Sequence, residues 1–347
     1  MNRFKAGLKH NLLILIGLIL SLPLHGYEFK SLANEHILAG YQRLLETTNK
    51  LNYSVNEFCT KTSKNSLKES RFHYKEAFNA WQSIKHIRFG PVQYLSREYR
   101  FELWPDKRGT VSKHLARLLK EDWANKDKFK LSEKSVAVQG FPALERILFD
   151  QNLITEKQCQ VIHAITENLS TMSAGIIADW SEGDTPYINF VADPGSHIVI
   201  FESDQALANQ LLNSLYTQLE IMATQKLDRP LGKSIDNTKG KQAEGWRSQT
   251  AISALYHNLQ ATRQLYVLVF ADNLTPELEY RINHTYQQLE KSLSRVTMPL
   301  KSAVADVTQR KHIQQFRRQL SNLKRLVATE LATELGLSLG FNSLDGD

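Results

Sequence analysis

The carboxylate best placed to do chemistry in this chain is Glu145, in the stretch Val136-Ala-Val-Gln-Gly-Phe-Pro-Ala-Leu-Glu-Arg-Ile-Leu-Phe149. Gly140 and Pro142 should interrupt or begin a helix, because proline is tolerated in the first turn and costs roughly 3 kcal/mol in a helix interior. Glu145 then falls within about the first turn, where the helix dipole and free N–H groups favour a carboxylate. Ile147, Leu148 and Phe149 bury one face beside it, and a buried carboxylate needs a partner. Arg88 and Arg247 are the candidate suppliers. Two readings stay open: Glu145, Arg88 and Arg247 line a polar pocket that binds a ligand, or they form a structural ion pair that locks two parts of the fold together.

Other chemistries find less support. His73-Tyr-Lys-Glu76 puts an imidazole and a carboxylate on one helical face, but its setting is a plain amphipathic helix, which reads as surface. No H-E-x-x-H zinc motif occurs. Asp345 and Asp347 could offer hard oxygen ligands, though an exposed acidic tail is the simpler reading. Ser248 lacks the G-x-S-x-G elbow of a nucleophile, and no histidine is placed by sequence to activate it. No cofactor is expected, and metal at most weakly.

Gly140-Phe-Pro-Ala-Leu-Glu145 resembles the signature of the imelysin-like family, G-x-H-x-x-E, with proline standing where the pattern has histidine. An imidazole nitrogen can bind a transition metal, whereas the nitrogen of a proline is tied up in an amide. The resemblance covers nearly the whole chain after residue 26. Ala80-Trp81, Ile87-Arg-Phe-Gly-Pro91, Arg100, Trp104-Pro-Asp106 and Arg108-Gly109 are similar to the family's N-terminal half. Leu231-Gly232, Glu244, Trp246-Arg-Ser248, Asn258-Leu259 and Gly340-Phe-Asn-Ser-Leu-Asp-Gly-Asp347 are similar to its C-terminal half. The resemblance implies an all-α fold of two packed helical bundles, a cell-envelope location and a site between the halves. Trp104, Arg108 and Glu244 then join Glu145, Arg88 and Arg247 as expected ligand-binding residues. The family includes a proposed metallopeptidase and iron-regulated envelope proteins. Loss of the imidazole favours a non-catalytic binding protein with a small or anionic ligand in the cleft, in an iron-related setting. The alternative is a metallopeptidase that uses ligands other than Pro142. Partner proteins of the envelope fit either reading.

Arg3, Lys5 and Lys9 precede an apolar run, Leu12 to Leu20, that is too short to span a bilayer comfortably. Residues 1–26 therefore read as a secretory signal peptide cleaved near Gly26, and the expected destination is the periplasm. Its removal takes three of the seven net positive charges. No basic run is interleaved with aromatics, so no nucleic-acid partner is expected. Cys59 and Cys159 are the only cysteines. A pair in an oxidising compartment reads as a disulfide, closing a loop worth roughly 4–5 kcal/mol at most; two buried free thiols are the other reading.

The elements that must position these residues are helices. Ile162, Ile165, Leu169, Met172 and Ile176 recur at helical spacing, and Thr155 with Gln158 forms a capping box in front of them. Leu212, Leu215, Leu219 and Met222 repeat the rhythm. Further helices are expected over 29–57, 66–87, 243–269, 276–292 and 308–335, with Pro276 at a first helical position and Gly336 as a stop. Stripes this wide predict antiparallel bundles, 27–180 and 196–347, joined by a linker at 181–195. Asp228 to Gly245, with Pro230, Gly232, Gly240 and Gly245, reads as irregular chain over the bundle ends.

Overall fold

The structure is a computed structural model that describes residues 27, 29–121, 130–150, 153–196 and 200–340. The expected signal peptide and the acidic tail with Asp345 and Asp347 lie outside the described residues. Every regular element among the described residues is a helix. No helix among them is long and apolar enough to cross a membrane.

The N-terminal bundle is built on α1 (Ala39–Thr60), α2 (Lys64–Ile84), α3 (Phe141–Asp150) and α4 (Glu156–Ser181). Tyr41, Leu44, Leu51, Val55 and Phe58 form the buried stripe of α1, which packs against both α2 and α4. Ser63 caps α2 reciprocally with Ser66, and the Thr155–Gln158 capping box starts α4 as expected. Cys59 and Cys159 are bonded, tying the end of α1 to the start of α4 across 100 residues. A wide-turn segment, Leu32–Leu38, leads into α1 and places His36 Nε2 2.8 Å from His86 Nε2 beyond α2.

The C-terminal bundle contains α5 (Asp204–Glu220), α6 (Ala251–Val269), α7 (Pro276–Leu293) and α8 (Val307–Arg325). Its seam with the first bundle runs along α2 and α6. There Ser253 Oγ donates to Asn79 Oδ1 at 3.0 Å, and one turn on Ser83 Oγ lies 3.1 Å from His257 Nδ1. One hydrophobic cluster continues through this seam from Phe29 to Leu337. The irregular stretch near the middle of the chain holds a short helix, Tyr187–Ala192, whose Tyr187 ring packs edge-on against Trp180.

One boundary differs from the sequence expectation in a way that matters for function. The helix expected over 243–269 begins only at Ala251. Gly245 and Gln249 both have positive φ, 60° and 62°, which a right-handed helix cannot accommodate. A Cβ on Gly245 would fall 2.1 Å from Thr250 Oγ1, so this tight turn needs glycine. The backbone of Ser248 is thereby freed from helical bonding and turned toward α3.

Candidate functional site

Helix α3 begins where expected, with Pro142 in its first turn. Gly140 is required by contact, not by conformation. A Cβ there would lie 2.1 Å from Phe101 O and 2.2 Å from Arg100 O, backbone atoms that cannot yield. The short helix Arg97–Phe101 thus crosses directly over the start of α3, and Arg100 locks it with a 2.6 Å bond from Nε to Gln139 Oε1.

Glu145 is buried, but neither expected arginine is its hydrogen-bond partner. Its Oε1 accepts from the Ser248 backbone N–H at 2.9 Å and from Ser248 Oγ at 2.7 Å. Arg247 turns instead to Asp150, donating from Nε at 2.7 and 2.9 Å. Arg88 lies 3.9 Å from Glu98. The turn 245–250 explains the difference, because it points the Ser248 N–H into the carboxylate while the Arg247 guanidinium lies over the Trp246 ring and bonds Asp150. Burial raises the Glu145 carboxyl above its usual value, and the two Ser248 bonds oppose that shift ahead of the more distant charges of Arg247 and Arg146.

Glu145 forms part of the wall of a cleft of about 340 Å³ between the two halves. Residues 102–107, Gly109, Pro142, Glu145 and Arg146 line it, together with Arg229 and residues 241–247. Of the residues expected at a ligand site, Trp104, Glu145, Glu244 and Arg247 line this cleft. Arg88 and Arg108 are not among its lining residues, and Arg108 is exposed.

The floor holds four buried charges. Lys226 Nζ donates to Glu244 Oε2 at 2.5 Å, Asn258 Oδ1 at 2.6 Å and Gln82 Oε1 at 2.7 Å, so all three of its protons are used. Lys85 Nζ bridges Glu102 Oε2 at 2.7 Å and Glu244 Oε1 at 3.3 Å. Trp81 Nε1 also donates to Glu102 Oε2, at 2.8 Å. Burial, reinforced by the Glu244 charge, pushes the Glu102 carboxyl up to about 7. Glu244 meets the same burial, yet Lys226 and Lys85 together hold it down at about 2. Burial lowers Lys226 to about 8 against the pull of Glu244. The floor is thus a closed network of two lysines and two carboxylates, and of the two carboxylates Glu102 is the one that more readily holds a proton.

Sequence reasoning found only Glu244 of these four. A signal for Lys226 was present: it extends the stripe Leu212, Leu215, Leu219, Met222 by one more helical step. A lysine on the apolar face of a helix must find carboxylates in the interior. Lys85 and Glu102 carry no comparable mark.

The rim is arranged differently. Arg146 is engaged, donating to Asp106 Oδ2 at 3.1 Å and to the Pro142 carbonyl at 2.7 Å. Asp106 also accepts from the N–H groups of Thr110 and Val111 at the start of helix Thr110–Leu118. Arg229 and Lys241 line the cleft with no carboxylate in ion-pairing range among the described residues. Trp246 stands at the edge of the cleft with three cations around its ring: the Arg247 guanidinium carbon at 4.2 Å from the centroid, Lys301 Nζ at 4.7 Å and Lys241 Nζ at 5.8 Å.

As a metal centre the signature segment is poor in donors. Pro142 has none, and Glu145 spends Oε1 on Ser248. A catalytic zinc takes three protein ligands, and no group of three His, Cys, Asp or Glu side chains gathers in metal-holding geometry among the described residues. Among the described residues, the donors at the signature segment do not fit a resident transition metal. His73 lies 3.5 Å from Glu69, not paired with Glu76, in line with a surface role.

A sequence profile of the imelysin family matches residues 37–327, most of the chain. The chain belongs to the imelysin family. Its fold is shared by the crystal structure of an imelysin-like protein from Psychrobacter arcticum 273-4, at TM-score 0.75 and 23% identity, covering 90% of this chain and 96% of that one. It is also shared by a "putative iron-regulated protein A precursor" from Parabacteroides distasonis ATCC 8503, at TM-score 0.73 and 13% identity, covering 88% and 93%. No curated protein matches the chain in sequence. Within this imelysin fold the signature reads Gly140-Phe-Pro142-Ala-Leu-Glu145. The glycine serves a backbone crossing, the glutamate anchors the turn before α6, and the histidine position faces the cleft as proline.

Proposed function

We propose that this imelysin-family chain is an exported binding protein of the cell envelope that holds a small anionic ligand in the inter-bundle cleft and does not turn it over. The observation that carries the reading is the contrast between Arg229 and Lys241, which line the cleft without a carboxylate partner among the described residues, and the floor, whose charges are consumed internally. Cations facing a cleft wall attract an anion without first breaking an ion pair. The absence of a donor at Pro142 supports a non-catalytic role, since metal–water hydrolysis needs a ligand set with an open position. A basic, apolar N-terminus of signal-peptide type and the cysteine pair support export. The name of the Parabacteroides neighbour supports an iron-related setting.

The test restores the missing donor. Native protein should bind zinc or iron weakly, whereas Pro142→His should gain affinity for a transition metal in calorimetric titration. Stoichiometric, tight metal in the native protein, together with chelator-sensitive cleavage of unfolded substrates, would replace this reading with that of a metallopeptidase using other ligands.

A further inference from the structure

A second hollow, of about 380 Å³, adjoins the cleft at Trp246. Trp246 and Arg247 line both. Pro299, Lys301 and Ser302 line the second hollow together with Gln249, Phe149 and Asp150, whose carboxylate is taken up by Arg247. The two hollows are held in register by backbone. A Cβ on Gly240 would sit 2.1 Å from Lys301 O, so the loop carrying Lys241 rests directly on the segment carrying Lys301. Gln249 keeps a left-handed backbone, φ 62°, although it is not glycine. Such a conformation costs of order 1 kcal/mol and recurs at ligand clamps.

The charges around Trp246 need an explanation beyond packing. Arg247, Lys241 and Lys301 converge on one indole, while Asp150 compensates Arg247 alone. Lys241 and Lys301 have no ion-pair partner among the described residues. An exposed cation gains roughly 0.5–1 kcal/mol from an aromatic face. Like charges gathered around one ring repel, and ordering a lysine side chain costs up to about 2 kcal/mol. The cluster by itself therefore adds little to folding. It becomes favourable once an anion touches both Lys241 and Lys301.

We propose that Trp246 is the ridge of a two-lobed anion site, and that its ligand is an elongated polyanion with at least two carboxylate or phosphoryl groups. One group is held by Arg229 and Lys241 in the cleft, the other by Lys301 beside Arg247 in the second hollow. This rests on the reading of the cleft as an anion site and names the ligand class that fits it. Joining the two contacts in one molecule makes the second effectively intramolecular, which raises affinity without any new chemistry.

The experiment compares calorimetric titration of full-length protein with inorganic phosphate, tripolyphosphate and an open-chain tricarboxylate. Lys301→Gln, confined to the second hollow, is measured beside Lys311→Gln, which removes the same charge from an exposed position on α8. The expected result is binding of a polyanion roughly tenfold tighter than phosphate. That advantage is lost in Lys301→Gln, kept in Lys311→Gln, and accompanied by unchanged phosphate affinity. Whether tripolyphosphate or the tricarboxylate shows the larger loss identifies the group chemistry. Phosphate binding with no polyanion advantage, or an advantage equally reduced by both variants, overturns the two-lobed site and leaves the cleft reading standing. Absence of binding by all three probes to the native protein overturns the cleft reading itself.

Discussion

At the floor of the cleft, Lys226 and Lys85 are bonded to Glu244 and Glu102 within the buried core. Elsewhere in the same cleft, Arg229 and Lys241 line the wall with no carboxylate partner among the described residues, and Lys241 reaches over Trp246. Both regions are rich in charge, but they use it for different ends. Buried charges that satisfy one another fix the geometry of the two halves and have little left to offer a ligand. Partly exposed cations without partners contribute little to folding and remain available for binding. Charge in a cleft is a guide to ligand chemistry only after the internally consumed part has been set aside.

The largest effect is expected at the floor. Glu244→Gln should lower stability by roughly 3–5 kcal/mol, because it strands Lys226 as an unpaired buried charge. Chemical denaturation at neutral pH measures this directly. Glu102→Gln should cost much less near pH 6, since the native carboxyl already holds its proton there. Its pH dependence gives the sign. The folded state keeps the Glu102 proton up to about 7, and the unfolded chain releases it near the usual carboxylate value. Between those limits the folded state binds more protons, so stability contributed by this group is full at low pH and falls as pH rises toward 7. Glu102→Gln should flatten that slope, and an unchanged slope would assign the titration elsewhere.

A smaller loss is expected on the wall. Glu145→Ala deprives the Ser248 N–H of its acceptor, at roughly 1–3 kcal/mol, while Ser248 Oγ keeps Gly245 O and Thr250 Oγ1 as partners. That is less than the 3–5 kcal/mol a buried arginine partner would imply, so thermal denaturation of this variant separates the two geometries. The smallest stability change belongs to the rim. Arg229→Ala combined with Lys241→Ala should shift stability by no more than about 0.5 kcal/mol per site. Calorimetry should find their anion affinity reduced by roughly tenfold. A rim variant that unfolds, or one that binds phosphate as the native protein does, would erase the distinction between floor and rim.

Much of the scaffold was legible from residue order. The spacing of Ile162, Ile165, Leu169, Met172 and Ile176 located α4, Thr155 and Gln158 marked its start, and the cysteine pair foretold the link between α1 and α4. The signature stretch was correctly read as the start of a helix at Gly140 and Pro142. The site itself was only partly legible. Glu145 was recognised as a buried carboxylate in need of a partner, but the partner is Ser248, and Arg247 and Arg88 are bonded or paired elsewhere. The error began with the helix expected over 243–269. Gly245 could be seen as a breaker, whereas the positive φ of Gln249, which completes the turn, follows from no propensity of glutamine.

What the sequence by itself determined were features acting over one to four residues: helical stripes, caps, breakers and the proline at the signature position. These depend on local backbone geometry and on which face of a helix is apolar, so they can be read without knowing what lies opposite. Only the tertiary structure decided that Lys226 meets Gln82 and Glu244, that Glu145 meets Ser248 103 positions away, and that Trp246 collects Lys301. Partners at such separations are chosen by how two bundles pack and by which buried groups would otherwise go unsatisfied. No short-range pattern records that choice.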